Sequence, residues 1–295
     1  MAHIPVMSVE VIKYLDPRPG DNFVDCTLGD GGHSGLILKA TSPNGKVLGF
    51  DLDLEAIKVT RDNLKTYGDR LVALNKSYTE LEDTVEERGF AHISGVLADF
   101  GLSSPQIEER LRGFSFLRDE PLDMRYSNSE ELTAEQIVNH YPKSELVNIM
   151  REYGEERLAE PIAEAILKAR REEKIATTAQ LVKIIKSAVP GNYERGRIHP
   201  ATRVFQALRI ETNDELDSIA SLLPQALEVA NVGGMLVFIS FHSLEDRLVK
   251  NFFRYQEAAG RIEIQTPKPI AASDAEAKKN PRARSAKLRA ALKLK

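Results

Sequence analysis

The run Asp25-Cys26-Thr27-Leu28-Gly29-Asp30-Gly31-Gly32-His33-Ser34-Gly35 decides how this chain is read. Residues 22–28 read as a strand and residues 34–40 as a helix, so the glycines fall where the backbone must turn sharply. A ligand can approach such a turn without meeting a Cβ. Outward from it, residues 46–53, 71–77 and 93–100 read as further strands. Residues 55–67 read as a helix, with Ile57, Leu64 and Tyr67 at roughly helical spacing. Strand and helix alternate as in βαβ units, which implies a mainly parallel sheet.

From about Gln106 the pattern changes. Residues 144–153, 155–173 and 178–188 are polar, charged and helical in period, with no convincing strand among them. Alternation returns at residues 214–230, where Leu216, Ile219, Leu222, Leu223, Ala226 and Leu227 form an apolar stripe. Gly233, Gly234 and a strand at 235–241 follow. The expected organisation is a discontinuous α/β core, residues 1–106 and 206–295, interrupted by an inserted helical domain at 107–205.

The chain has 295 residues, 42% of them hydrophobic and 28% charged, enough to bury a substantial core. A single cysteine, Cys26, excludes an internal disulfide framework and a cysteine cluster for structural zinc, and no metal is expected. The longest apolar run, residues 235–239, cannot span a bilayer, so a soluble, cytoplasmic protein without a membrane partner is expected. Net charge is only −4, but residues 278–295 carry Lys278, Lys279, Arg282, Arg284, Lys287, Arg289, Lys293 and Lys295 with no acid. That stretch reads either as an arm that neutralises phosphates or as a solvated, frayed terminus.

About twenty residues beyond the glycine turn, Asp51 closes the second strand, where a carboxylate is placed to hold the two ribose hydroxyls of an adenosine. Gly29, Gly31 and Ser34 miss the strict dinucleotide pattern, and Asp25 and Asp30 crowd the turn with charge that a pyrophosphate would oppose. S-adenosylmethionine, a cation without phosphate, suits an acidic turn better; a tight turn that binds nothing is the plain alternative. Ligands in open α/β sheets lie beyond the carboxyl ends of the strands, which adds Tyr78 as an adenine-packing candidate and Asp99 as a group for cofactor or acceptor. Asp99-Phe100-Gly101 resembles a kinase magnesium loop, but without a kinase catalytic loop or a P-loop phosphoryl transfer is discarded.

Several long blocks resemble the bacterial small-subunit ribosomal RNA methyltransferases that methylate the N4 amine of a decoding-centre cytidine. They are His3-Ile4-Pro5-Val6-Met7, the run from Thr27 to Ser34, the run from Asp99 to Gln106, Arg112-Gly113-Phe114-Ser115-Phe116 leading to Pro121-Leu122-Asp123-Met124-Arg125, Tyr153-Gly154-Glu155-Glu156-Arg157, His199-Pro200-Ala201-Thr202-Arg203 running to Arg209, the run from Ser240 to Arg247, and Asn280-Pro281-Arg282-Ala283-Arg284-Ser285. They cover nearly the whole chain in order. Ala98 and Phe100 depart from the family's more usual leucines, with no loss of a polar group. The resemblance implies a Rossmann-like class I methyltransferase core with an inserted all-α domain, S-adenosylmethionine as cofactor, and contacts to it at Gly31, Gly32, His33, Asp51, Tyr78, Asp99 and Gln106. It implies 16S ribosomal RNA as partner, within the small ribosomal subunit. The oligomeric state stays open, a homodimer included.

An exocyclic cytosine amine is a poor nucleophile, so a hydrogen-bond acceptor that localises its lone pair is needed. Asp99 on the cofactor side and Asp123 on the substrate side are the candidate carboxylates, with Asp123 alternatively pairing with Arg125 or Arg203. His242 is a candidate to hydrogen-bond the base or a phosphate, and His199 is expected to begin a helix. Phe114, Phe116 and Phe241 are candidate platforms for an extruded base. Arg203, Arg209, Arg247 and the basic tail are the phosphate candidates. Two other readings remain: a methyltransferase acting on DNA or a small molecule, and an RNA-binding assembly factor that holds the cofactor without turning it over.

Overall fold

The computed structural model describes residues 5–101, 111–127, 130–193 and 198–295. The chain forms two compact units, Met1–Gly101 with Leu216–Lys295, and Leu102–Glu215. The boundaries fall at 101/102 and 215/216, where the sequence had placed them at 106/107 and 205/206.

In the first unit, helix α1 (Ser8–Leu15) precedes the alternation β1 (Asn22–Asp25), α2 (Gly32–Ala40), β2 (Val47–Phe50), α3 (Leu54–Asn63), β3 (Leu71–Leu74), α4 (Leu81–Glu87) and β4 (Ile93–Asp99). The strands are shorter than the apolar runs suggested, because the last residues of each run turn out of the ladder to form the loops of the site. These four strands and β5 (Met235–Ser240) form a parallel ladder in the order β3-β2-β1-β4-β5. Side chains alternate across the pleat. Phe23, Leu97, Val237 and Ile239 pack with Val11 and Leu15 of α1 and Ile37 and Leu38 of α2. Val24, Val96, Ala98, Leu236 and Phe238 form the other layer, with Ile219, Leu222, Leu223, Ala226 and Leu227 of helix α10 (Glu215–Val229).

The sheet continues through residues that the sequence had left as a tail. Strand β8 (Lys287–Lys293) runs antiparallel to β5, from Ser240 opposite Lys287 to Met235 opposite Leu292. It also pairs with β6 (Ile262–Ile264) and β7 (Ile270–Ala271). The frayed-terminus alternative is therefore wrong for residues 287–293. The alternation Leu288, Ala290 on one face and Ala291 on the other serves both layers, and two of the cations are buried. Arg289 is paired with Asp246 at 2.7 Å. The Lys293 ammonium donates to the carbonyls of Glu228 and Ala230, at 3.1 and 2.7 Å, so burial lowers its pKa while the chain supplies two acceptors.

In the second unit, α5 (Ala134–His140), α6 (Lys143–Glu152), α7 (Ala159–Glu172), α8 (Thr178–Ala188) and α9 (Thr202–Asn213) bury Ile137, Leu146, Ile162, Leu181, Val204 and Leu208 in a core of their own. Capping boxes fix two starts, Thr133 with Gln136 for α5 and Thr177 with Gln180 for α8. Helix α7 begins at Ala159 rather than at 155. Gly154 lies against the Arg203 backbone, where a Cβ would sit 2.6 Å from its carbonyl oxygen, and Glu155 takes φ 48°. Helix α9 belongs here because Val204, Phe205, Ala207 and Leu208 pack into this core, which moves the boundary past 205. His199 precedes the helix, its Nδ1 accepting from the Ala201 N–H at 3.2 Å.

Lys293→Met keeps the stem and removes the donor from the buried Ala230 carbonyl and the part-buried Glu228 carbonyl. The expected loss is about 1–2 kcal/mol of stability, read as a lower urea midpoint; an unchanged midpoint excludes the capping role.

Candidate active site

In the order β3-β2-β1-β4-β5 the chain leaves β1 toward β2 on one side, and β4 stands on the other. The connections diverge at this point and leave a crevice beyond the carboxyl ends of β1 and β4. Two bonds build its floor. The Asp99 N–H donates to Thr27 Oγ1 at 2.6 Å, joining the ends of the two strands. Asp25, almost wholly buried, accepts from Ser34 Oγ at 2.7 Å and from the Thr27 N–H at 3.2 Å. Burial pushes the Asp25 carboxyl above its ordinary range, against the opposing pull of the Ser34 hydrogen bond.

The turn above this floor is gripped by α3. Thr60 Oγ1 donates to the Gly29 carbonyl at 2.6 Å and Asn63 Nδ2 to the Asp30 carbonyl at 3.1 Å. Gly31 caps α2 with φ 82°, and a Cβ there would meet Leu64 Cδ1 at 2.8 Å and Thr60 Cγ2 at 2.9 Å. Glycine is required on both counts. Asp51, one residue past β2, accepts from the Gly29 N–H through Oδ2 and from the Asp53 N–H through Oδ1, each at 2.8 Å. Its carboxylate is thus fixed against the turn. Asp53 caps α3 by accepting from the Glu55 N–H.

Four buried polar atoms of the crevice have no hydrogen-bond partner among the described residues. They are both His33 ring nitrogens, Asp99 Oδ1 and Asp30 Oδ1, and His33 Nε2 lies 3.6 Å from Asp99 Oδ2. Buried polar atoms without partners are rare and call for an explanation, of which a ligand is one. Tyr78, after β3, is half-buried against the layer of Val24 and Phe50. At the end of β5, the Phe241 ring closes on Gly101, where a Cβ would be 2.5 Å from Cε2.

His242 has a structural role that the sequence reading missed. It caps α11 (Ser243–Ala258), its Nδ1 3.5 Å from the Glu245 N–H, while the buried Glu245 carboxylate accepts from the Phe241 and His242 N–H groups at 2.7 and 3.1 Å. Its Nε2 stands 3.0 Å from Glu245 Oε1. The signal was present as a capping residue followed three positions later by Glu245. Thr27, Ser34 and Thr60 were also missed; nothing local marks a hydroxyl whose partner lies in another element. Arg247 lies on the exposed side of α11.

In the second unit the candidates are tied to their own neighbours. Arg125 clamps Asp123, Nε to Oδ1 at 2.9 Å and Nη2 to Oδ2 at 2.8 Å, with the Arg125 N–H adding a third bond. Burial opposes ionisation of Asp123, but these bonds outweigh it and its pKa is lowered. Arg209, expected at a phosphate, makes a two-pronged pair with the buried Glu215 at 2.8 and 2.9 Å. Arg203 donates to Tyr193 Oη at 3.3 Å, and Tyr193 donates to Glu156. Phe114 stacks on Tyr126, and Phe116 stacks on His199 at 4.7 Å while meeting Phe205 edge-on. Phe116 also borders a cleft of about 360 Å³ with Leu117, Arg118, Val182, Lys183 and Lys186. Gln106 lies outside the described residues.

The MraW methylase family model matches residues 1–294. The chain belongs to the MraW methylase family. Proteins named ribosomal RNA small subunit methyltransferase H are similar to this MraW methylase across nearly its whole length. That of Geobacter sulfurreducens is 48% identical over 308 residues, covering 99% of both chains. That of Symbiobacterium thermophilum is 44% identical, covering 99% of this chain and 96% of its own, and that of Geotalea uraniireducens is 46% identical, covering 99% and 98%. Reaction class and donor follow: methyl transfer from S-adenosylmethionine on an α/β Rossmann-like core. The crevice fits this donor, with a glycine turn that admits close approach, a fixed carboxylate at Asp51, and buried, unpartnered acceptors beside a site for a cation.

Gly31→Ala forces a left-handed alanine into Leu64 and Thr60. Donor affinity is expected to fall at least tenfold by calorimetry; retention of wild-type affinity would sink the turn as the cradle. Asp123→Asn breaks the Arg125 clamp and is expected to cost about 1–2 kcal/mol at neutral pH. Because the folded pKa of Asp123 lies below 3.8, that stabilisation is complete well above 3.8 and is lost as pH falls through the folded value. The gap between the urea midpoints of wild type and variant should therefore narrow below about pH 4.

Proposed function

We propose that this methylase transfers a methyl group to the N4 amine of a cytidine in 16S ribosomal RNA, at the decoding centre of the small ribosomal subunit. The observation that carries the reading is Asp99 Oδ1, a buried carboxylate oxygen with no hydrogen-bond partner among the described residues, at the mouth of the crevice beside the glycine turn. The printed names of the relatives supply the small-subunit RNA substrate.

When bound, S-adenosylmethionine supplies an electrophilic methyl on a cationic sulfur. The chain does the rest. Gly31 and Gly32 let the backbone approach, Asp51 takes the ribose hydroxyls, Tyr78 packs on the adenine, and His33 and Asp99 line the reacting end. Asp99 accepts a hydrogen bond from the amine, which concentrates the nitrogen lone pair, and takes the proton released as the nitrogen–carbon bond forms. The Asp123 carboxylate is engaged in three hydrogen bonds from Arg125, whereas Asp99 Oδ1 has no hydrogen-bond partner among the described residues, so the acceptor role passes to Asp99. His242 holds the start of α11 and through it the position of Phe241, the platform we assign to the extruded base; Phe114 and Phe116 each already stack one face on a neighbouring ring. The second unit is assigned to substrate recognition. No described helix is long and apolar enough to cross a membrane; the proposed ribosomal substrate implies a cytoplasmic enzyme.

The test is transfer of labelled methyl to small subunits from cells lacking this gene, followed by nucleoside analysis. N4-methylcytidine is expected, with Asp99→Ala at least 100-fold slower while still binding the donor. Label in another nucleoside, or none in RNA, overturns the reading.

A further inference from the structure

The basic run beginning at Lys278 is split by the fold into two populations. Arg289 and Lys293 are buried in β8 with fixed partners, and Lys287 stands 3.8 Å from Asp246. The side chains of Lys278, Lys279 and Arg284 are exposed and make no ion pair or hydrogen bond among the described residues. They lie on helix α12 (Asp274–Lys279) and the short 3₁₀ turn Pro281–Ser285 that leads into β8.

The position of this segment is fixed by anchors. Lys287 is opposite Ser240, so the residues before it emerge at the carboxyl end of β5, on the edge of the sheet that carries Asp99. Ala283 and Ala286 are fully buried in the layer that holds Val6 and Met7. The Met7 N–H donates to Glu276 Oε1 at 2.6 Å, and two residues earlier Pro5 packs on the glycine turn, its Cβ 3.1 Å from where a Cβ on Gly32 would stand. A chain of contacts thus joins the basic segment through Glu276, Met7 and Pro5 to the cradle. Within the segment the acids are Asp274 and the engaged Glu276, so positive charge dominates its exposed face.

We propose that Lys278, Lys279 and Arg284 form a preorganised docking surface for the phosphate backbone of the RNA that flanks the target nucleotide. The inference rests on the RNA reading above and adds where the backbone is held. A rigid cationic rim beside the donor gives the strand a register without reading its bases. It takes the role that Arg203 and Arg209, bonded within the second unit, were expected to share.

The experiment compares the full-length wild type, the triple variant Lys278→Gln/Lys279→Gln/Arg284→Gln, and a control variant Lys13→Gln/Lys39→Gln/Lys46→Gln, whose exposed cations lie toward the amino ends of the strands. Binding of small subunits and of isolated 16S RNA is measured against salt, with donor affinity and melting temperature alongside. The triple variant is expected to bind RNA at least tenfold more weakly, to lose about 2 units from the salt slope, and to show a raised KM for subunits with kcat and donor affinity unchanged. The control variant is expected to stay within about threefold of wild type, with its slope unchanged. A triple variant indistinguishable from the control in affinity and slope, while wild type still makes N4-methylcytidine, overturns this inference alone; loss of donor affinity with no change toward RNA also overturns it. Absence of methylated cytidine from the wild-type reaction overturns the functional reading instead.

Discussion

The site depends on the pairing of β1 with β4, two parallel strands whose following connections run in opposite directions. Parallel strands buried on both faces leave their ends as the place where polar groups can gather, and the divergence keeps those ends uncovered. The bond from the Asp99 N–H to Thr27 Oγ1 sets the relative height of the two ends. Asp25 below it is held by Ser34 in the first turn of α2, so strand, turn and helix share one carboxylate. Displace that carboxylate and the turn, the Asp99 side chain and the His33 ring all lose their reference.

Much of the first unit was legible because its signals are local. Glycines at the turn, an acid past the next strand and period-2 and period-3.6 patterns located β1 to β5 and helices α2 and α3, though not α4, and marked Asp51 and Asp99 as crevice residues. Strand β8 was not legible. Its sequence, Lys-Leu-Arg-Ala-Ala-Leu-Lys, reads as a charged tail because the groups that accept from Arg289 and Lys293 are Asp246 and the carbonyls near the end of the helix before β5, far away in sequence. Burial of a cation is decided by distant acceptors, which no local pattern contains.

The same blindness explains the second unit. A phosphate-binding arginine and one locked in an internal pair have identical local sequence, and only the fold shows that Arg209 reaches across a helix end to Glu215. Asp123 illustrates the converse: its partner Arg125 is two residues away, so the clamp was visible as an alternative, but its strength rests on the shared shelter of both groups. His242 looked like a reactive imidazole because histidine is a rare capping residue, and Glu245, which completes the cap, was read as part of the block rather than as its partner.

The order of strands on the far side of the sheet also constrains how the molecule comes together. Among the described residues, strand β6 pairs with the sheet only through β8, although it is made earlier in the chain. Until β8 arrives, β5 presents an open apolar edge, Met235-Leu236-Val237-Phe238-Ile239-Ser240, and β6 has nothing to pair with. Assembly of this half is therefore a single late event that inserts one strand between two waiting ones, a non-local step that is slow and exposes a sticky edge while it is pending. Dilution, or a chaperone able to shield that edge, should govern the yield of refolded protein more than any property of the mature active site.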